Sequence, residues 1–190
     1  MSGQLVSGPP LYWRVLGVDF ARLPASVKAL HDNPGRVVAS GRCRVERGDN
    51  PLARLLAALF GFPPAGDDVP LRVEITAEGA GERWERDFAG HRLASLQGEV
   101  PGRPGWLYER FGPGHFTIDP RPSERGLSFA LTGARLCGLT LPRWLWPAVV
   151  GDATAAAESY RFEVSIALPL VGLLVRYHGE LVPEEGCPIC

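Results

Sequence analysis

Residues 160–179 read Tyr160-Arg-Phe-Glu-Val-Ser-Ile-Ala-Leu168, then Pro-Leu-Val-Gly, then Leu173-Leu-Val-Arg-Tyr-His-Gly179. Apolar and polar residues alternate in both halves, which is the period-two pattern of strands with one buried face. The proline and glycine between them predict a tight turn. The stretch therefore predicts two adjacent antiparallel strands in a β-rich domain.

The same alternation recurs from residue 69 onward, where Leu71, Val73 and Ile75 share one face and Glu78-Gly-Ala-Gly81 predicts a hairpin turn. No alternation of strands and helices follows residue 62, which argues against a parallel sheet. We predict a β-dominated α+β fold: one strongly curved antiparallel sheet of about eight strands, forming a barrel or half-barrel. Its interior is either filled by side chains or encloses a cavity, and the sequence leaves both open.

Two or three short helices are predicted near the N-terminus and are expected to pack on the sheet. They cover Leu11–Phe20, a segment starting at Pro24, and Leu52–Phe60. The third is expected to lie on the concave face or to plug one end. The apolar residues of one strand change from odd positions (Leu127, Phe129, Leu131) to an even position (Leu136), which predicts a bulge at Gly133. The stripe expected to bury the third helix consists of Leu52, Leu55, Leu56, Leu59 and Phe60.

The chain has 190 residues and a net charge of −1. This length predicts one domain, over residues 11–183, between a disordered tail (1–10) and a flexible tail (184–190). The charge does not favour nucleic acid as a partner, and no stretch predicts a transmembrane segment. Without a signal-peptide pattern, and with four cysteines interpreted as reduced thiols, we expect a cytoplasmic protein.

Six segments together carry a resemblance to a known family: Leu23–His31, Val45–Gly48, Pro51–Arg54, Glu109–Gly112, Gly138–Pro142 and Leu168–Gly179. They resemble the bacterial domain of unknown function DUF4166, and the resemblance covers roughly residues 11–183. Some relatives in that family join the domain to an NAD-dependent oxidoreductase of the saccharopine-dehydrogenase or short-chain type. The resemblance therefore implies such an enzyme as a candidate partner, but it implies no catalytic residue.

Motifs of known chemistry are missing from the sequence. There is no Gly-x-Gly-x-x-Gly, no Gly-x-Ser-x-Gly, no phosphate-binding loop and no pair of histidines at metal-ligand spacing. We therefore predict no catalytic residue, no cofactor and no metal. Cys187-Pro-Ile-Cys190 is interpreted as part of the flexible tail. His31 is expected to cap the last carbonyls of its helix.

Aromatic residues on the predicted strands are the candidate lining of a ligand cavity, with arginines as polar anchors. Tyr108 and Arg110 share a face opposite Glu109, and Arg176 and His178 share a face opposite Tyr177. The favoured alternative for Arg110 is an outward side chain paired with an acid on a neighbouring strand. The ligand-binding candidates are Trp84, Trp106, Tyr108, Arg110, Phe129, Phe162, Arg176 and Tyr177.

Trp144, Leu145 and Trp146, between two prolines, form a bulky apolar corner. It is either core that covers one end of the sheet, or the lip of a ligand mouth or a docking patch. Three functions remain. We favour a non-catalytic binding module for a small, mostly apolar ligand, either lipid-like or bearing a carbonyl or carboxylate. The alternatives are a docking domain for the oxidoreductase, and an enzyme of unknown reaction using Tyr108, Glu109 and His178.

Overall fold

The computed structural model describes residues 8–33, 35–156 and 159–184. The helices are α1 (Leu11–Leu16), α2 (Ala25–His31) and α3 (Pro51–Leu59), with 3-10 turns at Gly17–Arg22 and Arg143–Leu145. The strands are β1 (Arg36–Arg47), β2 (Gly66–Glu78), β3 (Gly81–Phe88), β4 (His91–Glu99), β5 (Leu107–Phe111), β6 (Gly114–Ser123), β7 (Gly126–Leu136), β8 (Leu139–Thr140), β9 (Ala148–Ala156), β10 (Ser159–Leu168) and β11 (Gly172–Pro183).

Ten of these strands close into an antiparallel barrel. Each pairs with the next strand along the chain, except that β7 pairs with β9 and the short β8 forms a hairpin beside β7. The pairing of β11 with β1 closes the ring. The predicted β-dominated antiparallel fold is therefore confirmed. The strand count is higher than about eight because β9 gave no clear alternating pattern.

The closing seam between β1 and β11 runs from Ala39 opposite Pro183 to Arg47 opposite Val175. Glycine is needed at two positions along it. A Cβ on Gly41 would collide with the carbonyl group of Glu180, and one on Gly179 would collide with the carbonyl oxygen of Arg42. The two backbones therefore approach more closely here than residues with side chains would allow.

Helices α1 and α2 cover one end of the barrel, the capped end. Tyr12, in α1, is fully buried. Arg14 fixes this helix to the strand connections, since its Nε donates to Glu99 (2.8 Å) and its Nη2 to the carbonyl oxygen of Ala80 (2.6 Å). After α2, the buried Asn33 amide donates to the carbonyl oxygen of Ile75 (3.2 Å). The N-terminal helices are thus tied to the barrel wall by hydrogen bonds as well as by apolar packing.

Helix α3 connects β1 to β2 at the opposite end. The Asn50 side chain accepts a hydrogen bond from the backbone N–H of Leu52 (2.9 Å), which starts the helix. Arg47 donates to the carbonyl oxygens of Phe62 (2.9 Å) and Pro63 (2.8 Å), which fixes the chain leaving the helix. Among the described helices, none is both long and apolar enough to cross a bilayer.

The predicted burial of the whole α3 stripe is wrong. Ala53 and Ala57 are buried, and Leu56 and Phe60 face the barrel. The reason is geometric: these four residues occupy one helix face, and the other leucines project about 100° away from it. The exposed leucines are Leu52, Leu55 and Leu59.

The bulge predicted at Gly133 is found within one residue of that position. Thr117 pairs with Gly133 while Ile118 pairs with Leu131, so Thr132 is the extra residue. Its hydroxyl donates to the carbonyl oxygen of Thr117 (3.1 Å). Residues 1–7 and 185–190, which include Cys187 and Cys190, lie outside the described residues.

Candidate functional site

The barrel encloses a cavity of about 460 Å³. Inward-facing residues of the strands form its walls, while Tyr12 and Leu30 form its floor at the capped end. Most of the wall is apolar. Representative lining residues are Val73, Leu93, Ile118, Phe129, Leu131, Phe162, Val164, Ile166 and Leu174. The interior is therefore not filled by side chains, and its volume lies in the usual range for small-molecule sites.

The cavity opens at the end that carries α3. Its lining residues at the capped end, such as Tyr12 and Leu30, are buried. Those at the α3 end, such as Leu141 and Val171, are partly exposed. The same end carries several exposed apolar side chains, which we call the apolar rim: Leu59, Leu139, Trp144 and Leu170. Water reaches the cavity from this end.

A pair of opposite charges lies inside this apolar cavity. Arg86 on β3 and Glu109 on β5 flank β4, with Arg86 Nη2 at 3.7 Å from Glu109 Oε1. Their side chains are only 15% and 23% exposed. Arg86 Nη1 also donates to Ser95 Oγ (3.1 Å), and its guanidinium carbon lies 5.3 Å from the Trp84 ring centroid. Arg86 is thus held in place, and both residues remain open to the cavity.

Two tyrosines bring hydroxyl groups into the same cavity from the opposite wall. Tyr160 on β10 and Tyr177 on β11 line it and make no hydrogen bond with a side chain of the described residues. Burial raises the pKa of both hydroxyls, and the positive charge of Arg86 works against that shift. The electrostatic influence of Arg86 therefore reaches the strands across the cavity, and both hydroxyls are neutral near pH 7.

His31 forms part of the cavity wall near the floor. Its ring lies 4.1 Å from that of Tyr12 and 5.6 Å from that of Trp84, centroid to centroid. Neither ring nitrogen has a hydrogen-bond partner among the described residues. Burial lowers the pKa of His31 to about 3, so the imidazole is neutral at physiological pH. The expectation that His31 caps its helix is wrong, because its ring packs into the core instead.

Glu82 lies below the cavity floor, beneath α1. Its Oε2 accepts a hydrogen bond from Trp84 Nε1 (3.3 Å), while Oε1 has no partner among the described residues. Burial raises the pKa of this carboxyl to about 7. Beside it, the Tyr12 hydroxyl donates to Gln97 Oε1 (2.9 Å). The Tyr12–Gln97 contact joins the cap to β4 through polar groups.

The sequence profile of a family described as "Domain of unknown function (DUF4166)" matches residues 23–181, most of the chain and every barrel strand. The chain belongs to the DUF4166 family. Comparison with curated proteins and comparison with solved structures each found no match. The suspected resemblance is thus confirmed, and the family description states no activity.

The DUF4166 barrel brings half of the predicted ligand-binding residues to the cavity. Those that line it are Trp84, Phe129, Phe162 and Tyr177. Trp106 does not, because it lies in the β4–β5 connection with the Arg103 guanidinium 5.0 Å from its ring centroid. Arg176 does not either, because it points outward and pairs with Glu163 (2.7 Å).

Tyr108 and Arg110 also lie outside the DUF4166 cavity, on the outer surface of β5. Tyr108 covers Gly98 and makes an edge contact with His115 (5.4 Å between centroids). Arg110 is exposed. The favoured outward orientation of Arg110 is found, although no acid among the described residues pairs with it. The inward residue of this strand is Glu109.

The Trp144–Trp146 corner of the DUF4166 domain contributes partly to the cavity and partly to the surface. Leu145 lines the cavity. Trp146 is half-buried, with its Nε1 donating to the carbonyl oxygen of Leu141 (2.9 Å). Trp144 is 68% exposed. The corner is therefore a lip of the cavity mouth that also presents one indole to the outside.

Sequence reasoning missed Arg86, Glu109 and His31 as cavity residues, although signals for them exist. Arg86 lies between Trp84 and Phe88, and Glu109 between Leu107 and Phe111, so each shares a strand face with two apolar neighbours. His31 continues a helical stripe with Val27. Position on the strand, and not residue type, is the signal that identifies these residues as inward-facing.

The enzyme hypothesis finds little geometric support. Glu109 faces the cavity, whereas Tyr108 and His178 lie on outward positions of their strands. The three groups therefore do not converge on one point. No group of three or more potential metal ligands occurs among the described residues.

Proposed function

We propose that this DUF4166 domain is a non-catalytic binding protein for a small, mostly apolar ligand held inside the barrel. The observation that supports this is the cavity of about 460 Å³, apolar over most of its wall and containing a few convergent polar groups. An apolar ligand placed there removes its own surface and the cavity wall from water. Each square ångström of apolar surface buried in this way contributes about 25 cal/mol to the free energy of binding. The predicted cytoplasmic location stays a prediction.

The test uses a neutral apolar dye, N-phenyl-1-naphthylamine, together with native mass spectrometry of the purified protein. We expect saturable dye fluorescence and a co-purified small molecule that the dye displaces. Val164→Trp fills the cavity from β10 and should weaken dye binding at least tenfold. Ser165→Trp is the matched control, since it adds the same ring one position along on the outer face.

Unchanged dye binding in a folded Val164→Trp variant would contradict a binding site in the cavity. Thermal melting of both tryptophan variants shows whether each is folded. Loss of dye binding in Ser165→Trp as well would place the dye on the outer surface and would also contradict the proposal.

A second candidate function is docking to a partner protein through the exposed indole of Trp144. The family resemblance suggests an NAD-dependent oxidoreductase of the saccharopine-dehydrogenase or short-chain type as that partner. Binding of a purified enzyme of that class should be lost in Trp144→Ala. It should be retained in Trp13→Ala, which removes an exposed tryptophan from the capped end.

A further inference from the structure

The Arg86–Glu109 pair inside the cavity is incomplete as a hydrogen-bonded ion pair. Its closest N···O distance of 3.7 Å exceeds the 2.7–3.2 Å of an N–H···O hydrogen bond. Arg86 has one satisfied donor, to Ser95. Glu109 accepts no hydrogen bond from any side chain that the structure describes. The carboxylate therefore faces the cavity with free capacity to accept hydrogen bonds.

The surroundings of the pair favour a bound polar group in the gap. The Tyr160 and Tyr177 hydroxyls line the same cavity from the opposite wall and have no side-chain partner among the described residues. Trp84 covers one side of Arg86. Most of the remaining wall is apolar, and its other charged residues, Arg135 and Asp152, are exposed to solvent, so the pair marks the place where a ligand's polar end would be satisfied. The rest of the ligand would then extend through the apolar part toward the α3 end.

The charges of the pair limit which polar end fits. Arg86 and Glu109 sum to zero, so a ligand carboxylate would add a second negative charge beside Glu109. A ligand ammonium would add a second positive charge beside Arg86. Both are strongly unfavourable in an apolar cavity. A hydroxyl group instead accepts from Arg86 and donates to Glu109, which satisfies both residues without adding charge.

Resting on the proposed binding function, we propose that the ligand is a neutral apolar alcohol whose hydroxyl lies between Arg86 and Glu109. This narrows the ligand class expected from the sequence, since it disfavours a carboxylate. The hydroxyl donates its proton to Glu109 and accepts from Arg86 Nη2. The hydrocarbon part of the ligand contacts the apolar part of the cavity wall, which includes Phe129 and Val164.

The test measures displacement of N-phenyl-1-naphthylamine from the full-length protein by four probes that each contain ten carbon atoms. The probes are decan-1-ol, methyl nonyl ether, decanoate and decylamine. We expect decan-1-ol to bind at least fivefold more tightly than the ether, which lacks the donor for Glu109. It should bind at least tenfold more tightly than either charged probe.

Two cavity variants and one surface variant sharpen the test. Glu109→Gln leaves the charge of Arg86 uncompensated, so decanoate should then bind at least tenfold more tightly than it does to the wild type. Glu109→Met removes the acceptor for the hydroxyl proton and should reduce the preference for the alcohol over the ether to less than twofold. Glu163→Gln removes the acid of the outward Arg176 pair and should leave all four affinities unchanged.

If a cavity variant fails to fold, the order of the four probe affinities in the wild-type protein still tests the inference. The inference would be overturned if decanoate or methyl nonyl ether bound as tightly as decan-1-ol. Either result would leave the proposed function intact. Failure of all four probes and of the dye to bind would overturn the proposed function itself.

Discussion

Tyr108 lies directly over Gly98 on the outer surface of the barrel, where a Cβ on Gly98 would meet the phenol ring at 2.6 Å. The two residues face each other across β4 and β5. The missing side chain of Gly98 leaves a gap that the aromatic ring covers, and His115 packs against the ring edge. Tyr108 therefore contributes to pairing of the strands and not to the cavity.

Tyr108→Ala should lower the free energy of unfolding by about 1 kcal/mol, because it removes a cross-strand aromatic contact. Dye binding should stay unchanged, since the ring lies outside the cavity. Urea denaturation and dye titration measure the two effects. Loss of binding with an intact fold would contradict the outward position of Tyr108.

Gly179→Ala should destabilise the closing seam of the barrel. The new methyl group would collide with the carbonyl oxygen of Arg42 and with Cys43, both in β1. Because backbone atoms cannot move aside cheaply, we expect a loss of about 2–3 kcal/mol. Gly35→Ala is the control, since nothing lies within 4 Å of that Cβ position. Equal midpoints of urea denaturation for the two variants would contradict a tight seam.

His31→Phe should reduce the loss of stability at acid pH. The pKa of His31 is about 3 in the folded protein and near 6.5 when unfolded. Between these values the unfolded chain binds more protons, so stability falls as pH falls, by up to about 1.4 kcal/mol per pH unit. Phenylalanine keeps an aromatic ring among Tyr12, Trp84 and Tyr160 but cannot take up a proton.

The measurement is the free energy of unfolding from urea titrations between pH 4 and pH 7. The advantage of His31→Phe over the wild type should grow as the pH decreases below 6.5. Tyr12→Phe serves as the control, because it changes the ring beside His31 but removes no group that titrates between pH 4 and pH 7, and it should show no such trend. A difference between His31→Phe and the wild type that does not change with pH would count against a neutral, buried imidazole.

Glu82→Gln should reduce the loss of stability at high pH, whereas His31→Phe reduces it at low pH. Burial raises the pKa of Glu82 to about 7, against an unfolded value near 4.5. The folded protein therefore holds the proton more tightly, and this contribution is lost as pH rises from 4.5 through 7. The neutral amide avoids that loss, so the variant should be more stable than the wild type by about 2 kcal/mol at pH 8.

Glutamine can still accept the hydrogen bond from Trp84 Nε1, so packing under α1 is kept. The same urea titrations, extended to pH 8, test the prediction. A variant that is less stable than the wild type at pH 8 would show that the Glu82 carboxylate is stabilised in a way that its burial does not indicate.

The alternating patterns predicted the curved antiparallel sheet because period-two burial is a local property of each strand. β9 escaped prediction because Ala148–Ala156 is rich in alanine and includes Gly151 and Asp152, which are poor strand formers. Tertiary packing against Phe129 explains why residue 151 is a glycine. The Phe129 ring lies 3.3 Å from the place where Gly151 would carry a Cβ.

The candidate site was only half predictable because alternation tells which residues share a face but not which face is inside. On β5, Tyr108 and Arg110 were correctly grouped opposite Glu109, yet the inward side is the one that carries Glu109. Apolar Leu107 and Phe111 on that side were the deciding signal. Buried charged residues run against the usual composition of interiors, so an expectation based on residue type fails at Arg86 and Glu109.

The order of strands also has a consequence for how the chain folds. All barrel pairings but one join strands that follow each other closely, so hairpins can form independently and early. The exception is the meeting of β1 with β11, which brings together segments separated by well over a hundred residues. Closing so long a loop carries the largest entropic penalty in the structure. We therefore expect ring closure to be the slowest step, with docking of α2, which touches β1, β9 and β10, after it.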